Sequence, residues 1–177
     1  MKKVTWKRAL ALLVVFAAVL IIDMVTKRLT LEYVKPLAWG SPFYPYGGIG
    51  LFQKFLGIDL SIVYLPNRGS AWGLFANFHE YLLGLRCVAI VALVVYLLRF
   101  NPIRAKDIPL TLIIAGALGN VLDCFFYGHV IDMIHFNVWS LSCPVFNIAD
   151  AAIFLGVMTM LFQSFFKKGQ EPDVTYQ

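Results

Sequence analysis

Four stretches of this chain, Ala9–Ile22, Cys87–Leu98, Ile108–Leu122 and Ala151–Phe166, contain no Asp, Glu, Lys or Arg. With their flanks they approach the roughly 20 residues that a helix needs to cross a hydrocarbon core. Such runs restrict the chain to an all-α integral membrane bundle, because backbone polar groups in lipid must be satisfied within the segment. Composition agrees: 60% of the 177 residues are hydrophobic and only 14% are charged, far below the quarter expected of a soluble domain. The patterning predicts a single membrane domain over residues 1–168, with helices over about 6–27, 81–98, 108–123 and 147–166.

The cations flank these runs and form no basic face, so the net charge of +5 points to membrane orientation and no nucleic-acid partner. Lys2, Lys3, Lys7 and Arg8 precede the first run; Arg99, Arg104 and Lys106 lie between the second and third; Lys167 and Lys168 follow the fourth. By the positive-inside rule these segments, and both termini, are expected in the cytoplasm. No A-x-A-like cleavage site follows the first run, which is therefore read as an uncleaved helix. Residues 124–146 contain no Lys or Arg and are placed outside, as is the long first loop, residues 29–78. Within that loop "PFYPYGGIGLF" reads as turns and "LSIVYL" (Leu60–Leu65) as a short strand. The tail over residues 169–177 is expected to be disordered.

Ionisable groups within membrane segments are costly and tend to be functional. Here they are Asp23, Arg86, Asp123 and Asp150, and the topology carries each to the outer end of its helix, near Asp132 in the outer connection. Each has a structural alternative. Asp23 and Lys27 are i,i+4 partners, and Asn120 and Asp123 can hydrogen-bond at a helix end. Arg86 can snorkel or pair with a carboxylate, and Asp150, three residues after Asn147, can cap a helix start. Other chemistries find little support. "HEYLL" from His79 has Leu83 where the zinc motif needs its second histidine, so no metal site is expected. No G-x-S-x-G elbow occurs. Cys87, Cys124 and Cys143 have neither metal nor redox spacing, and a bridge between Cys124 and Cys143 stays open. Paired carboxylates are the best available chemistry.

The segments "DMVTK" (Asp23–Lys27), "NRGSAWGLF" (Asn67–Phe75), "GNVLD" with "GHVID" (Gly119–Asp132) and "FNIADAAI" (Phe146–Ile153) occur in that order. Together they resemble the bacterial lipoprotein signal peptidases, or signal peptidase II, an aspartyl peptidase family. The resemblance implies removal of signal peptides from diacylglyceryl-modified prolipoproteins by a cut just before the lipidated cysteine. It implies catalytic aspartates at Asp132 and Asp150, with supporting residues at Asp23, Lys27, Asn67, Gly69, Asn120, Asp123 and Asn147. It also implies four transmembrane helices with a small extracytoplasmic β-cradle and a short surface helix, no cofactor, and an active site near the outer face of the inner membrane. Membrane lipids would be partners, and the chain is expected to be monomeric. Trp72, Leu74 and Phe75 are candidates for an apolar lid. In one respect the chain departs from the family pattern: Cys124 stands where the family has arginine directly after the "GN-x-x-D" aspartate. A proton-coupled transporter and a non-catalytic assembly subunit are the competing readings, although no internal repeat favours the former.

Overall fold

The computed structural model describes residues 5–34, 48–68, 79–139 and 141–167. Helix α1 spans Trp6–Tyr33, strands β1 and β2 span Ile49–Phe55 and Ile58–Asn67, and helix α2 spans His79–Val95 and runs on into a π-turn, Tyr96–Phe100. Helix α3 follows over Asp107–Tyr127, then strands β3 and β4 over Val130–Val138 and Leu141–Ser142, and helix α4 over Ile148–Lys167. All four helices are long and apolar enough to cross a membrane.

Helix α3 is the buried one, lined on successive turns by Leu110, Ile114, Ala115 and Val121. The other three turn large apolar side chains outward, such as Val14 and Ile21 on α1, Leu85 and Val91 on α2, and Phe154 and Phe162 on α4. An outward apolar face on three helices is what lipid, not water, favours. Small residues set the closest approach. A Cβ on Gly116 would collide with the Ala149 carbonyl oxygen, and one on Gly156 would lie 2.6 Å from that of Pro109, so α3 and α4 touch backbone to backbone. The expected small pair Ala115 and Gly119 lies on this packed surface too: Ala115 is fully buried, and Gly119 faces Asp23 and Ala149.

Polar contacts mark the two ends of the bundle. At one end Arg8 Nε donates to Asp107 Oδ2 (2.7 Å) and Asn101 Nδ2 donates to Asp107 Oδ1 (2.8 Å), tying the start of α1 and the α2–α3 turn to the start of α3. At the other end Asp23 and Lys27 of α1 meet Asn120 and Asp123 of α3 beside the sheet. The first helix therefore continues six residues past Lys27: its charged residues are not an exit into water but an intramolecular contact.

The sheet corrects the all-α expectation. It has four antiparallel strands in the order β1-β2-β3-β4, two drawn from the first loop and two from the α3–α4 connection. The strand expected at Leu60–Leu65 lies within β2, whereas Ile49–Phe52, expected as turn, belongs to β1. The connection after α3 carries β3, which pairs with β2 from Ile58↔Val138 to Asn67↔Val130 and breaks register between Ile62 and Leu65. Gly128, at φ +73°, makes the entry turn: its N–H returns to the Cys124 carbonyl and ends α3 in a left-handed cap. Gly69, the candidate lid residues Trp72, Leu74 and Phe75, and the tail lie outside the described residues.

Candidate active site

The site begins with a polar stripe on α1. Asp23, Lys27 and Thr30, at i, i+4 and i+7, are the buried residues of this helix. Lys27 Nζ lies 2.6 Å from Asp23 Oδ2, 2.7 Å from Asp123 Oδ2 and 3.2 Å from Asn120 Oδ1. With Lys27 1% and Asp23 0% exposed, this is a fully desolvated ion cluster, tolerable because each charge has a partner and a hydrogen bond. Each carboxylate also grips another element. Asp23 Oδ1 accepts the Ala149 N–H at the start of α4 (2.8 Å), and Asp123 Oδ2 accepts the N–H of Ile131 in β3 (3.2 Å). Helix α1 thus fixes where α4 begins, and α3 fixes the strand residue directly before Asp132.

Asn147 joins the two halves. It is fully buried and caps α4: its Oδ1 accepts the Asp150 N–H at 2.8 Å, while Asp150 Oδ2 faces the Asn147 N–H at 3.4 Å, a reciprocal arrangement of the capping-box kind. Its Nδ2 points the other way, to Asp132 Oδ1 (2.8 Å), Asn120 Oδ1 (3.1 Å) and the Ile131 carbonyl (3.2 Å). Asn120 Nδ2 in turn donates to Asp150 Oδ1 at 2.7 Å, and Asn67 Nδ2, from the end of β2, donates to Asp132 Oδ2 at 3.0 Å. Asn67 pairs in register with Val130, so Asp132 is its diagonal neighbour across the sheet.

The result is a pair of carboxylates held by neutral amides with a cation behind them. Burial, and then the neighbouring charge of Asp150, push Asp132 up to about 7, against the opposing pull of the Asn67 and Asn147 hydrogen bonds and of Lys27. A carboxyl that keeps a proton near neutrality beside a second carboxyl can both accept and donate protons. Among the described residues no group of three or more His, Cys, Asp or Glu side chains is arranged to hold a metal ion.

Eight of the nine site residues expected from sequence, Asp23, Lys27, Asn67, Asn120, Asp123, Asp132, Asn147 and Asp150, converge on this one network; Gly69 is the ninth. Sequence reasoning missed Thr30, whose hydroxyl donates to Met133 Sδ (3.1 Å) and links α1 to β3; the polar i, i+4, i+7 stripe was the signal for it. It also missed the backbone donors of Ile131 and Ala149, for which side-chain identity carries no signal. Cys87, Cys124 and Cys143 are all free thiols.

Fold and site together define a multi-pass membrane protein with a buried carboxylate pair where its helices meet a small sheet. The chain belongs to the signal peptidase (SPase) II family, whose sequence profile matches residues 15–166 and so spans every member of the network. It is 35% identical over 160 residues to the lipoprotein signal peptidase of Chlamydia pneumoniae, covering 89% of this chain and 92% of that one. It is 38% identical over 149 residues to that of Chlamydia muridarum (83% and 86% covered). To that of Psychromonas ingrahamii it is 33% identical over 177 residues (97% and 94%). Its fold is similar to that of a bacterial membrane enzyme solved by the in meso method at 2.3 Å resolution, with a TM-score of 0.78 and 22% identity, covering 100% of this chain and 99% of that one. A second such enzyme, solved at 1.9 Å, superposes with a TM-score of 0.72 at 24% identity, covering 92% and 96%.

Proposed function

We propose that this chain is an aspartyl endopeptidase that removes signal peptides from diacylglyceryl-modified prolipoproteins, cutting just before the lipidated cysteine, with Asp132 and Asp150 as its catalytic pair. The observation that carries the reading is Asn147, one buried residue whose side-chain amide donates to the Asp132 carboxylate and whose backbone N–H faces that of Asp150, together with the raised proton affinity of Asp132. Amide hydrolysis needs a base to take a proton from water and an acid to protonate the leaving nitrogen. Two carboxyls sharing one proton supply both, and their titration belongs to the pair. Asn67 and Asn120 donate to the carboxylate oxygens and fix their direction. Lys27, bound to Asp23 and Asp123, keeps a positive charge behind the pair without contacting the reacting atoms.

The pair lies at the sheet end of the bundle, and the basic flanks of the opposite end support a site at the outer membrane face with both termini in the cytoplasm. A substrate made of a signal helix and acyl chains would enter sideways from lipid. The chain acts as a monomer. The transporter reading loses ground to the family membership.

The test is cleavage of a diacylglyceryl-modified prolipoprotein by purified variants, read as the mass loss of the signal peptide. Asp132→Asn and Asp150→Asn should each lower turnover by roughly 100- to 10,000-fold or more, and the double variant should be hardly worse than either. Asparagine keeps the shape, and at position 150 the cap, so the protein should still fold. Asp123→Asn should cost stability and only part of the rate. Near-normal cleavage by either the Asp132 or the Asp150 variant refutes the assignment.

A further inference from the structure

Helices α1 and α3 meet through charged residues at the sheet end, but beside that contact they part and leave an open cavity of about 340 Å³. Met24, Val25 and Leu29 of α1 line one side and Leu122 and Phe126 of α3 the other. Its inner end is closed by Lys27 and Asp123, which are buried and paired with each other at 2.7 Å. Arg28 and Tyr127 complete the lining, where α1 passes Lys27 and where α3 ends. Neither Asp132 nor Asp150 lines this cavity. Arg28 is exposed, and among the described residues no hydrogen bond or ion pair engages it. Lys27 beside it is already met by Asp23 and Asp123, so the lining is left with an uncompensated positive charge. Cations in membrane proteins favour the cytoplasmic side, and one at the sheet end runs against that bias unless an anion meets it. An apolar trough in the size range of ligand sites, with a guanidinium and an interfacial tyrosine at its mouth, complements an amphiphile that carries a negative head.

We propose that this cavity binds an anionic glycerophospholipid, with one acyl chain between α1 and α3 and its phosphate on the Arg28 guanidinium. Guanidinium suits phosphate because it presents paired N–H donors in a rigid fork. The bound chain covers the side of the Lys27–Asp123 pair that the two helices leave open, and it ties α1 to α3 where that pair joins them. Lipid binding needs no substrate, so it goes beyond the peptidase reading and is tested independently of it.

The test titrates the purified full chain in detergent with phosphatidylglycerol or phosphatidylcholine, and reads bound lipid by native mass spectrometry alongside the melting temperature. Phosphatidylglycerol should saturate at one lipid per chain and raise the melting temperature by about 5–10 °C at about a hundred times its dissociation constant. Phosphatidylcholine, whose phosphate is balanced by its own ammonium, should bind about tenfold more weakly or worse. Loss of a charge-assisted hydrogen bond predicts that Arg28→Gln weakens phosphatidylglycerol by about tenfold or more. Val25→Trp and Met24→Phe, both at exposed positions, fill the cavity and should remove the adduct; the two are independent, so misfolding of one leaves the other to decide. Arg99→Gln, an exposed cation outside the cavity, should bind as the parent does. Equal affinity for the two lipids, a parent-like Arg28→Gln, or an equal loss at Arg99→Gln would mean general headgroup attraction and overturns the proposal. A dimer in place of the lipid adduct, or occupancy by a diacylglyceryl-modified peptide but not by phosphatidylglycerol, gives the cavity to another occupant and overturns it as well.

Discussion

Replacing Lys27 by methionine keeps its length and apolar stem but removes the one buried cation in contact with Asp23 and Asp123. Both carboxylates are essentially inaccessible to solvent, at 0% and 4% exposure, so water cannot compensate them. Breaking a buried pair by removing one partner costs about 3–5 kcal/mol. For a chain of this size that corresponds to a drop of roughly 6–20 °C in melting temperature. The loss should fall on tertiary structure, since Asp23 also holds the start of α4 and Asp123 the start of β3. A thiol-reactive dye in detergent reads this directly, because Cys124 is buried and becomes accessible on unfolding. The triple variant Asp23→Asn/Lys27→Met/Asp123→Asn removes all three charges while leaving amide oxygens to accept the Ala149 and Ile131 N–H groups. It should recover part of the lost stability, because a neutral buried cluster escapes the penalty of an unpaired charge. A melting temperature for Lys27→Met within about 2 °C of the parent, or a triple variant less stable than the single one, would refute this account.

Activity should fall as pH rises through about 7, where Asp132 gives up the proton the pair must share. The Asn67 hydrogen bond favours the charged form, so Asn67→Ala should move that basic limb to higher pH; a shift to lower pH in kcat/KM profiles would contradict it. The same raised affinity makes Asp132 a stabilising contribution that is full below its unfolded value of 3.8 and is lost as pH climbs through about 7. Gly116→Ala forces a Cβ against the Ala149 carbonyl and should cost about 1–3 kcal/mol, whereas Gly84→Ala meets nothing within 4 Å and should be neutral or stabilising by up to about 1 kcal/mol. Equal melting temperatures for the two would overturn the close packing of α3 on α4. If the sheet end faces outward, a single cysteine at position 141 should react with an impermeant maleimide in intact cells and one at position 103 should not; the reverse pattern inverts the topology.

The helices were legible because lipid demands long uncharged runs, a requirement visible in Ala9–Ile22 or Ile108–Leu122 without any tertiary information. Their ends were not. Asp23 and Lys27 read as an exit from the membrane, and only the contacts with Asn120 and Asp123 from 93 residues or more away in sequence show why α1 continues to Tyr33. Strand β3 was hidden for a related reason. An exposed strand alternates apolar and polar residues, but Val130, Ile131, Asp132 and Met133 are buried in succession in a strand that pairs with β2 and is also met by α1 and α3. Polar residues at the site were legible individually because each is anomalous in an apolar chain. Their pairing was not, since it depends on the register break between Ile62 and Leu65 that precedes Asn67.

For Asp150 the capping role seen in the structure and the proposed catalytic role are compatible. A carboxylate in the first turn of a helix is stabilised by the helix dipole, and the reciprocal contact with Asn147 holds it in a single orientation. That contact occupies Oδ2 only at 3.4 Å, while the shorter bond, from Asn120 at 2.7 Å, goes to Oδ1. Asp132 is held in the complementary way, by side-chain amides from two other elements, Asn67 at 3.0 Å and Asn147 at 2.8 Å. One carboxyl is thus oriented by its own helix and the other by its neighbours, and Asn147 belongs to both sets. Its side-chain oxygen holds the Asp150 backbone N–H, its own backbone N–H faces the Asp150 carboxyl, and its side-chain nitrogen holds the Asp132 carboxyl, so one fully buried residue contacts both. Preorganisation of this kind is what proton transfer between a pair and a bound water requires, because the geometry is set by folding and not by the reaction. On the proposed mechanism the helix cap is thereby part of the chemistry.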